Sequence, residues 1–391
     1  MKYFLLFIFC FLFADADAQQ DKNMTIPTIP INKNLSKQDF KLSDICSDIS
    51  YTNLEFDTKH PIAKTSRLHV TDKYIFFQSR SKILRYTKDG KRVQIIGSIG
   101  KGPGEYLEGS SFVLDKVNDK MYINVNFTPN VLVYDFDKNK YLNSFKIQKT
   151  DGYFLMSNSG VILRSSYTNR RYSSQYYSWE LINSKGKIIF KKVNSNFIKP
   201  KSEHPWRGII TPSSLSWKAT DNSFCSIYEL GSDTIFTISD EFQVTPRFFI
   251  DSPIRRSGEN ATRFISESSQ YLFWSLEDDG QKKVHHGVYD KTLKKSFIYS
   301  QNNYDDFRNK DKKLGLVNDI DGGLPVEIPF GQFSSTHWHF FVQPSDLIEY
   351  VNSPEFKKAT VKNPKKKETL LHFVKTLQED DNPVLVTLTI K

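Results

Sequence analysis

The stretch RLHVTDKYIFFQSRSKILRYTKDGKRVQIIG, residues 67–97, carries the pattern that decides the fold. Four short runs rich in apolar and β-branched residues alternate with polar turns. Such runs favour β-strands, because large and branched side chains pack well on a pleated surface. We therefore predict a four-stranded antiparallel unit whose last hairpin turns at Lys88-Asp89-Gly90.

The same pattern returns along the chain at a nearly fixed interval. The turn before the fourth strand falls at Gly90, Asn139 and Gly186, which are 49 and 47 residues apart. Three further units follow, and the sixth, which begins near residue 314, is incomplete. Periods of about 40–50 residues with four strands each are typical of β-propellers. The sequence thus predicts an all-β, six-bladed β-propeller over residues 50–391, with a β-sandwich plus a helical tail as the alternative.

Both ends of the expected propeller carry segments outside the repeats. Residues 19–49 form an N-terminal extension. The strand-like residues 50–57 are expected to close the ring by pairing beside residues 383–390. Joining the two chain ends in one sheet would remove the exposed strand edges that an open array leaves.

Residues 345–381 interrupt the last blade and have a helical pattern. Ser353-Pro354 and Asn363-Pro364 are typical helix starts, because proline suits the first helical position. The apolar residues between 370 and 377 recur at helical spacing and would form one apolar face. We therefore predict a helical insertion in the last blade, which could also serve as a docking surface for a protein at the cell surface.

The first eighteen residues are typical of a secretory signal peptide. Lys2 precedes an apolar run over Tyr3–Phe13, and residues 16–18 resemble a cleavage site. Eleven apolar residues are too few to cross a bilayer, so we expect cleavage near Ala18 and export to the periplasm or the cell exterior. Cys10 follows bulky residues rather than the small ones that lipid attachment requires.

Two cysteines, Cys46 and Cys225, would remain after cleavage of the signal peptide. We expect buried free thiols, with a disulfide between them as the alternative.

The net charge of the chain bears on its expected partners. The chain has 54 Lys and Arg against 44 Asp and Glu, a formal net charge of +10. Since an exported protein rarely meets nucleic acid, that partner is not expected, and anionic glycans or surfaces fit the charge better. Ordinary solubility charge is the alternative, and a monomer is expected.

The glycine-rich stretch IGSIGKGPGEYLEG, residues 96–109, raises the question of a phosphate site. A P-loop would require Gly-Lys-Ser/Thr at the start of a helix. Here Gly104 is followed by Glu105 and Tyr106, and a strand comes next. We expect instead a crossing between two blades, where the chain turns sharply and passes close to its neighbours, as glycine permits.

Crossing loops and the loops between second and third strands share one face of a propeller, where ligands usually bind. Arginine, lysine and aromatic residues recur in these loops, and guanidinium groups bind carboxylates and sulfates in bidentate fashion. We therefore expect an anionic carbohydrate or another acidic ligand, with solvated loop arginines as the alternative. The predicted ligand-binding residues are Arg80, Lys101, Glu105, Tyr106, Arg164, Trp206 and Arg207. The same loops contain Phe127, Tyr167, Arg170, Arg171, His204, Arg255 and Arg256.

The sequence gives little support for a metal site. His337 and His339 would share one face of a strand without evident further metal ligands, and His285 and His286 would point to opposite faces. NDIDGG, residues 318–323, only partly matches a calcium loop, and a tight turn explains it better. We expect no metal and no cofactor.

An enzyme is the alternative to a binding module. No nucleophile elbow G-x-S-x-G and no H-E-x-x-H motif occurs. A hydrolase would need two facing carboxylates, and a lyase acting on an acidic saccharide could combine Tyr106, His204 and Arg207. Catalytic residues therefore stay unassigned, and a non-catalytic protein is the first expectation.

Five pieces of sequence carry a family resemblance through their order. They are GSIGKGPGEY, LVYDFDKNK, DTIFTI, LVNDIDGGLP and DNPVLVTLTIK, and they extend to the last residue. In this order they resemble the six-bladed β-propeller family of secreted and lipid-anchored proteins in Bacteroidetes-type bacteria, related in style to NHL-repeat propellers. The resemblance implies an extracytoplasmic propeller and no established reaction. The chain departs from many members by lacking a lipid-attached cysteine.

Overall fold

A computed structural model describes most of the chain after the expected signal peptide. The residues described are 26–56, 62, 65–126, 128–147, 154–156, 162–165, 177–193, 215–220, 224–229, 233–239, 243–252, 262–278, 282–303, 315–328 and 336–391. Strands dominate them, and the strands form six separate sheets. The sheets are arranged as a β-propeller in which five blades are recognised.

In each of the five blades, four antiparallel strands follow one another in sequence. The first blade contains β3 (Thr65–Val70), β4 (Tyr74–Ser79), β5 (Lys82–Thr87) and β6 (Arg92–Ile96). The second contains β7 (Ser111–Asp115), β8 (Lys120–Asn124), β9 (Asn130–Asp135) and β10 (Lys140–Lys146). The third contains β11 (Phe154–Met156), β12 (Ile162–Ser165), β13 (Tyr177–Ile182) and β14 (Ile188–Val193). The fourth contains β15 (Leu215–Thr220), β16 (Phe224–Glu229), β17 (Thr234–Ser239) and β18 (Val244–Asp251), and the fifth β19 (Thr262–Glu267), β20 (Tyr271–Asp278), β21 (Lys283–Asp290) and β22 (Lys295–Asn303).

The sixth sheet joins the two ends of the described chain. It has three strands, in the order β2 (Cys46–Thr52), β24 (Val384–Ile390), β23 (His337–Val342). The N-terminal strand therefore lies at residues 46–52 rather than at the expected 50–57, and it pairs antiparallel with β24. Cys46 is a buried free cysteine.

Three helices lie between the paired strands β23 and β24. They are α2 (Pro344–Asn352), α3 (Pro354–Lys358) and α4 (Pro364–Val374), whereas α1 (Leu42–Ile45) precedes β2. The side chains of Ser353 and Asn363 accept hydrogen bonds from the first turns of α3 and α4. These caps satisfy backbone donors that have no partner within the helix. No described helix is long and apolar enough to cross a membrane.

The recurrent turn residues connect one sheet to the sheet before it. Gly90, Asn139 and Gly186 all have positive φ, at 87°, 51° and 82°. The Asn139 side chain donates to Ile95 O (3.0 Å) and accepts from Gly97 N (3.2 Å), at the end of β6. The 49- and 47-residue spacing therefore marks a contact between neighbouring sheets, not merely a turn within one.

We expect Gly90→Ala to destabilise the protein by more than about 1 kcal/mol. A left-handed conformation alone costs a non-glycine residue about 1–2 kcal/mol, and the new Cβ would overlap the carbonyl oxygen of Asn53. Gly102→Ala is the control, because no positive φ is recorded there and the nearest atom to its Cβ would be a flexible Glu105 oxygen at 3.0 Å. Equal denaturation midpoints for both variants would contradict the proposed contact.

The N-terminal extension covers strand edges instead of standing apart from the propeller. Within it, β1 (Thr28–Pro30) pairs in parallel with β18 and extends the fourth blade to five strands. Gln38 N then donates to Ile298 O of the fifth blade (2.9 Å), and Leu42 N donates to Val317 O (3.0 Å). Because unpaired strand edges favour aggregation, this covering protects the outer strands that it crosses.

We expect Ile29→Ala to lower the free energy of unfolding by about 3 kcal/mol. The Ile29 side chain is fully buried against the fourth and fifth blades, and truncation of such a residue leaves a cavity. Leu293→Ala is the control, since Leu293 is 66% exposed. Chemical denaturation measures both, and a loss at Ile29 no larger than at Leu293 would show that the extension does not stabilise the fold.

Candidate ligand-binding pocket

The glycine-rich loop leads from the last strand of the first blade to the first strand of the second, as the sequence predicted. Tyr106 anchors it. The Tyr106 hydroxyl donates to Ile96 O (2.9 Å) and accepts from Ile83 N (3.2 Å), and the residue has no exposed surface. Burial raises its pKa to about 12. Tyr106 therefore fixes the loop to the first blade through these two hydrogen bonds, and its side chain is not accessible to a ligand.

Glu105 occupies the inside of the turn. Its carboxylate accepts a hydrogen bond from Gly102 N (2.7 Å) and one from the Ser98 hydroxyl (3.3 Å). A Cβ on Gly100 would overlap this carboxylate, so a side chain at that position would require Glu105 to move. The anion that satisfies the loop amide thus belongs to the protein itself, so this amide is already occupied and does not form a phosphate-binding loop of the P-loop kind.

A cavity of about 500 Å³ lies between this loop and the outer strands of the second blade. Its volume is within the range of small-molecule sites. Apolar residues line one part of it, and hydroxyl, amide and charged groups line the rest. The lining residues are Gly100, Lys101, Gly102, Pro103, Gly104, Glu105, Leu107, Val125, Thr128, Asn130, Leu132, Tyr141 and Ser144.

The register of β9 and β10 explains which strand residues reach the cavity. Leu132 lies opposite Ser144, and directly opposed residues of an antiparallel pair share one face of the sheet. Tyr141 packs against Gly104, where a Cβ would approach its ring to 2.9 Å. The Tyr134 hydroxyl donates to Gly104 O, and the rings of Tyr134 and Tyr141 meet edge to face at 5.7 Å. These contacts hold the loop against the sheet and so define the cavity wall.

The pocket combines one exposed cation with one restrained anion. Lys101 is exposed and makes no ion pair with any residue in the described part of the chain. The Glu105 carboxylate is held by neutral donors of its own turn. Lys101 is therefore the group in this lining that can accept an additional negative charge.

The structure brings together two of the predicted ligand-binding residues. Lys101 and Glu105 line the same pocket, whereas Tyr106 is buried behind it. Arg80 is exposed in the turn between β4 and β5, outside the lining, with φ of 51°. Arg164 lies in β12, opposite Phe154 and Glu180. The remaining predicted residues lie outside the described residues: Phe127, Tyr167, Arg170, Arg171, His204, Trp206, Arg207, Arg255 and Arg256.

Sequence reasoning missed Thr128, Asn130, Tyr141 and Ser144. Thr128 sits in the loop between the second and third strands of the blade, the class of loop that was expected to bind ligands, and Asn130 is the first residue of β9. Tyr141 and Ser144 belong to the outer strand β10. The alternation of β10 could have grouped them only once its register with β9 was known, because a bulge at Leu142 shifts that alternation.

Packing and a hydrogen bond account for the pair His337 and His339. His337 and His339 stack with ring centroids 6.2 Å apart, and His339 Nδ1 lies 3.0 Å from the Thr387 hydroxyl. Burial lowers the pKa of His339 to about 3. No group of three or more metal-ligating side chains occurs among the described residues.

NDIDGG forms a buried polar turn that links three segments. The Asp319 carboxylate accepts from Ser43 N (2.9 Å) and from the Ser43 hydroxyl (2.6 Å), near α1. Asp321 accepts from the Tyr51 hydroxyl (3.0 Å) and from Gly323 N (2.9 Å). Because protein donors already occupy these oxygens, the arrangement fits a tight turn better than a calcium loop.

The fold and the pocket define a β-propeller protein with a cavity beside one blade-to-blade crossing. More particularly, the chain belongs to the DUF4934 family, a domain of unknown function, whose model matches residues 26–389. No curated protein matches the chain.

A solved structure at 18% identity has the same fold as this chain. A Bacteroides fragilis protein, named as a candidate exported protein, is 18% identical with a TM-score of 0.64, and the match covers 94% of this chain and all of that one. A member of the DUF4221 family from Bacteroides vulgatus is 10% identical with a TM-score of 0.43, covering 88% and 97% of the two chains.

We expect Tyr106→Phe to lower the free energy of unfolding by about 1–2 kcal/mol. The change removes a buried hydroxyl that makes two hydrogen bonds and leaves Ile83 N without its acceptor. Tyr141→Phe is the matched control, because Tyr141 is only partly buried and its hydroxyl has no recorded hydrogen bond among the described residues. Urea denaturation that finds the two variants equally stable would contradict the anchoring role of Tyr106.

Proposed function

We propose that this protein is an exported, non-catalytic binding module that takes an anionic carbohydrate in the pocket beside residues 97–110. The observation that carries the proposal is the position of Lys101 in the same cavity as hydroxyl, amide and aromatic side chains. Lys101 would attract a carboxylate or sulfate, and Asn130 and Ser144 would hydrogen-bond to sugar hydroxyls. The Thr128 hydroxyl already donates to Val125 O (3.0 Å) and accepts from Asn130 N (3.2 Å), so it shapes the cavity wall. Tyr141 would contact an apolar sugar face.

The lining favours binding over catalysis. Glu105 is the sole carboxylate among the lining residues, and it is hydrogen-bonded within its own turn. Glycoside hydrolysis ordinarily requires two carboxylates that face each other across the sugar. Tyr106, a candidate base for a lyase, is fully buried and has a raised pKa. A hydrolase or lyase acting on an acidic saccharide is the alternative, and product analysis separates the two.

We further propose six blades, with the sheet of β2, β23 and β24 as the sixth and residues 345–381 as a helical insertion within it. Two observations support this. The innermost strands β23 and β3 are neighbours, as are β3 and β7. Asn53, just after β2, meets Gly90 in the way that Lys146, at the end of β10, meets Gly186. The resemblance in style to NHL-repeat propellers stays a prediction.

Export to the periplasm or cell exterior is part of the proposal. It is supported by the signal-like residues 1–18 and by the name of the Bacteroides fragilis protein with the same fold. An extracytoplasmic position would bring the pocket into contact with polysaccharides. We expect the protein to act as a monomer there.

We expect Lys101→Ala to weaken binding of galacturonate disaccharide about tenfold. Loss of one charge-assisted hydrogen bond of about 1.5 kcal/mol corresponds to that factor. Titration calorimetry measures the affinity, and Lys365→Ala, an exposed lysine on α4 outside the pocket, is the control.

Three results would overturn parts of this proposal. Equal affinities of the Lys101 and Lys365 variants would show that the pocket is not the binding site. Failure of the unaltered protein to bind uronate or sulfated sugars would show that its ligand is not an anionic carbohydrate. New reducing ends or unsaturated products after incubation would make the protein an enzyme.

A further inference from the structure

We propose that the ligand is a polymer, an acidic polysaccharide that continues from the pocket along a basic strip on the outer rim of the second and third blades. The strip consists of Lys146, Lys185 and Lys187. This inference rests on the proposed function and specifies the ligand as a chain with repeated negative charges, not a single acidic sugar.

The outer rim is unusually rich in unbalanced positive charge at this point. β10 has the sequence KYLNSFK and contains no acidic residue. Residues 183–193, in the hairpin of the third blade, contain four lysines and no acidic residue. Lys146, Lys185 and Lys187 are exposed and make no ion pair with any of the described residues.

Other lysines of the rim are excluded by their partners or by their position. Lys191 lies 3.6 Å from the Glu180 carboxylate, and Lys192 lies over the Phe236 ring at 5.0 Å. Lys140 lies at the other end of β10 from Lys146, opposite Asp135 in the ladder. The strip is therefore defined by the charges that remain available, not by lysine content alone.

The strip is continuous with the pocket through the register of β10. Lys146 lies opposite Asn130, which lines the pocket, and Ser144 lies opposite Leu132. Opposed residues share one face of a sheet, so Lys146 stands on the face that carries the pocket, two residues beyond Ser144. A bound sugar held in the cavity would thus have a cation beside its exit.

The third blade continues the strip from Lys146. Gly186 is so close to the end of β10 that a Cβ on it would lie 2.8 Å from Lys146 O. Lys185 and Lys187 flank Gly186 in the sequence, which places their backbone next to that of Lys146. Phe145, the neighbour of Lys146, packs on the face of β10 that meets Gly186, where a Cβ would lie 2.8 Å from its ring. The series Lys101, Lys146 and the pair at 185 and 187 therefore runs from the pocket face of β10 over its outer edge to the third blade.

A linear polyanion fits this arrangement better than a flat anionic membrane. A membrane surface would meet the exposed rim lysines but would gain little from a cavity with hydroxyl and amide groups. A polysaccharide can place one residue in the cavity while the next residues follow the rim. Each lysine adds attraction to a charge nearby, so affinity should rise with chain length and fall with salt.

The test compares galacturonate disaccharide with a galacturonate oligomer of roughly ten units, by calorimetry at low salt. For the unaltered protein we expect the oligomer to bind at least tenfold more tightly than the disaccharide. The variant Lys146→Glu/Lys185→Glu/Lys187→Glu should lose that advantage while its disaccharide affinity changes less than twofold. All three side chains are exposed, so the variant should fold, which its circular dichroism spectrum and melting temperature will check.

The matched control reverses three exposed lysines of the helical segment, Lys357→Glu/Lys358→Glu/Lys365→Glu, and changes the net charge equally. Unchanged oligomer affinity in this control supports the strip. An equal loss of oligomer affinity in both triple variants would show that only the net charge of the protein matters, and the proposed strip would be wrong.

Further outcomes separate this inference from the proposed function. Full oligomer affinity in the rim variant, together with weakened disaccharide binding by Lys101→Ala, overturns the strip and leaves the pocket intact. Absence of binding at either length overturns both. If the rim variant loses binding to vesicles with 30% anionic phospholipid but keeps oligomer binding, the surface contacts membranes and the polysaccharide strip is wrong.

Discussion

The ladder between β2 and β24 is the constraint on which the rest of the molecule depends. It joins Cys46–Thr52 to Val384–Ile390, so two segments more than 300 residues apart must meet in one sheet. Every hydrogen bond of that ladder brings together the beginning and the end of the described chain. The cost of closing such a large loop grows only slowly with its length, whereas the sheet gains a buried face. Leu388 and Ile49, opposed in this ladder, both belong to the core shared with the fifth blade.

Closure at one sheet also explains why the neighbouring strand edges are covered. The N-terminal segment crosses β18 and β22 before it becomes β2. The edge of β2 is in turn approached by α4, since Lys366 Nζ donates to Ile49 O (3.3 Å) and lies 2.7 Å from the Asp48 carboxylate. The chain that closes the sheet therefore protects the edges along its own path. The outer strand β10 receives no such cover from this segment.

A buried ionic cluster shows how the same region joins two blades without making a reactive site. Glu267 of the fifth blade lies 2.6 Å from both Arg247 of the fourth blade and Lys291. Burial alone would raise the pKa of Glu267, but the two cations and their hydrogen bonds outweigh burial and lower it. The carboxylate thus stays ionised and fully engaged. Separation of the two blades would leave a buried charge without its partner, and the free-energy cost of that exceeds the stability that the intact ion pair contributes. The cluster therefore favours one arrangement of the fourth and fifth blades.

Sequence patterns predicted the strands well because alternation and turn chemistry are local. Gly90, Asn139 and Gly186 gave the period of the propeller, and all three have the positive φ that their turns require. The short β1 was missed, since three residues ending in proline carry no alternation signal and pair only with a distant strand. The burial of Tyr106 could not be predicted from the sequence either, because its two hydrogen-bond partners lie on different strands of the first blade.

Only part of the candidate site could be predicted from the sequence, because contacts between separate strands leave no local sequence signal. Lys101 and Glu105 stand out in the sequence because they interrupt a glycine-rich loop. Their neighbours Tyr141 and Ser144 come from a strand whose alternation is broken by a bulge, so their shared face depends on pairing with β9. The glycines themselves were expected to serve a sharp crossing. In the structure, Gly100 makes room for a carboxylate and Gly104 makes room for an aromatic ring.

No strand pairs with the outer edge of β10 among the described residues. An unpaired outer strand invites pairing with another chain, and lysines and bulges are the devices that discourage it. β10 has both, with lysines at its ends and a register shift at Leu142. A second copy paired antiparallel along this edge would bring lysine against lysine, which is unfavourable. Lys146 is therefore both one of the charges that keep β10 from pairing with itself and part of the rim that we propose for an anionic chain.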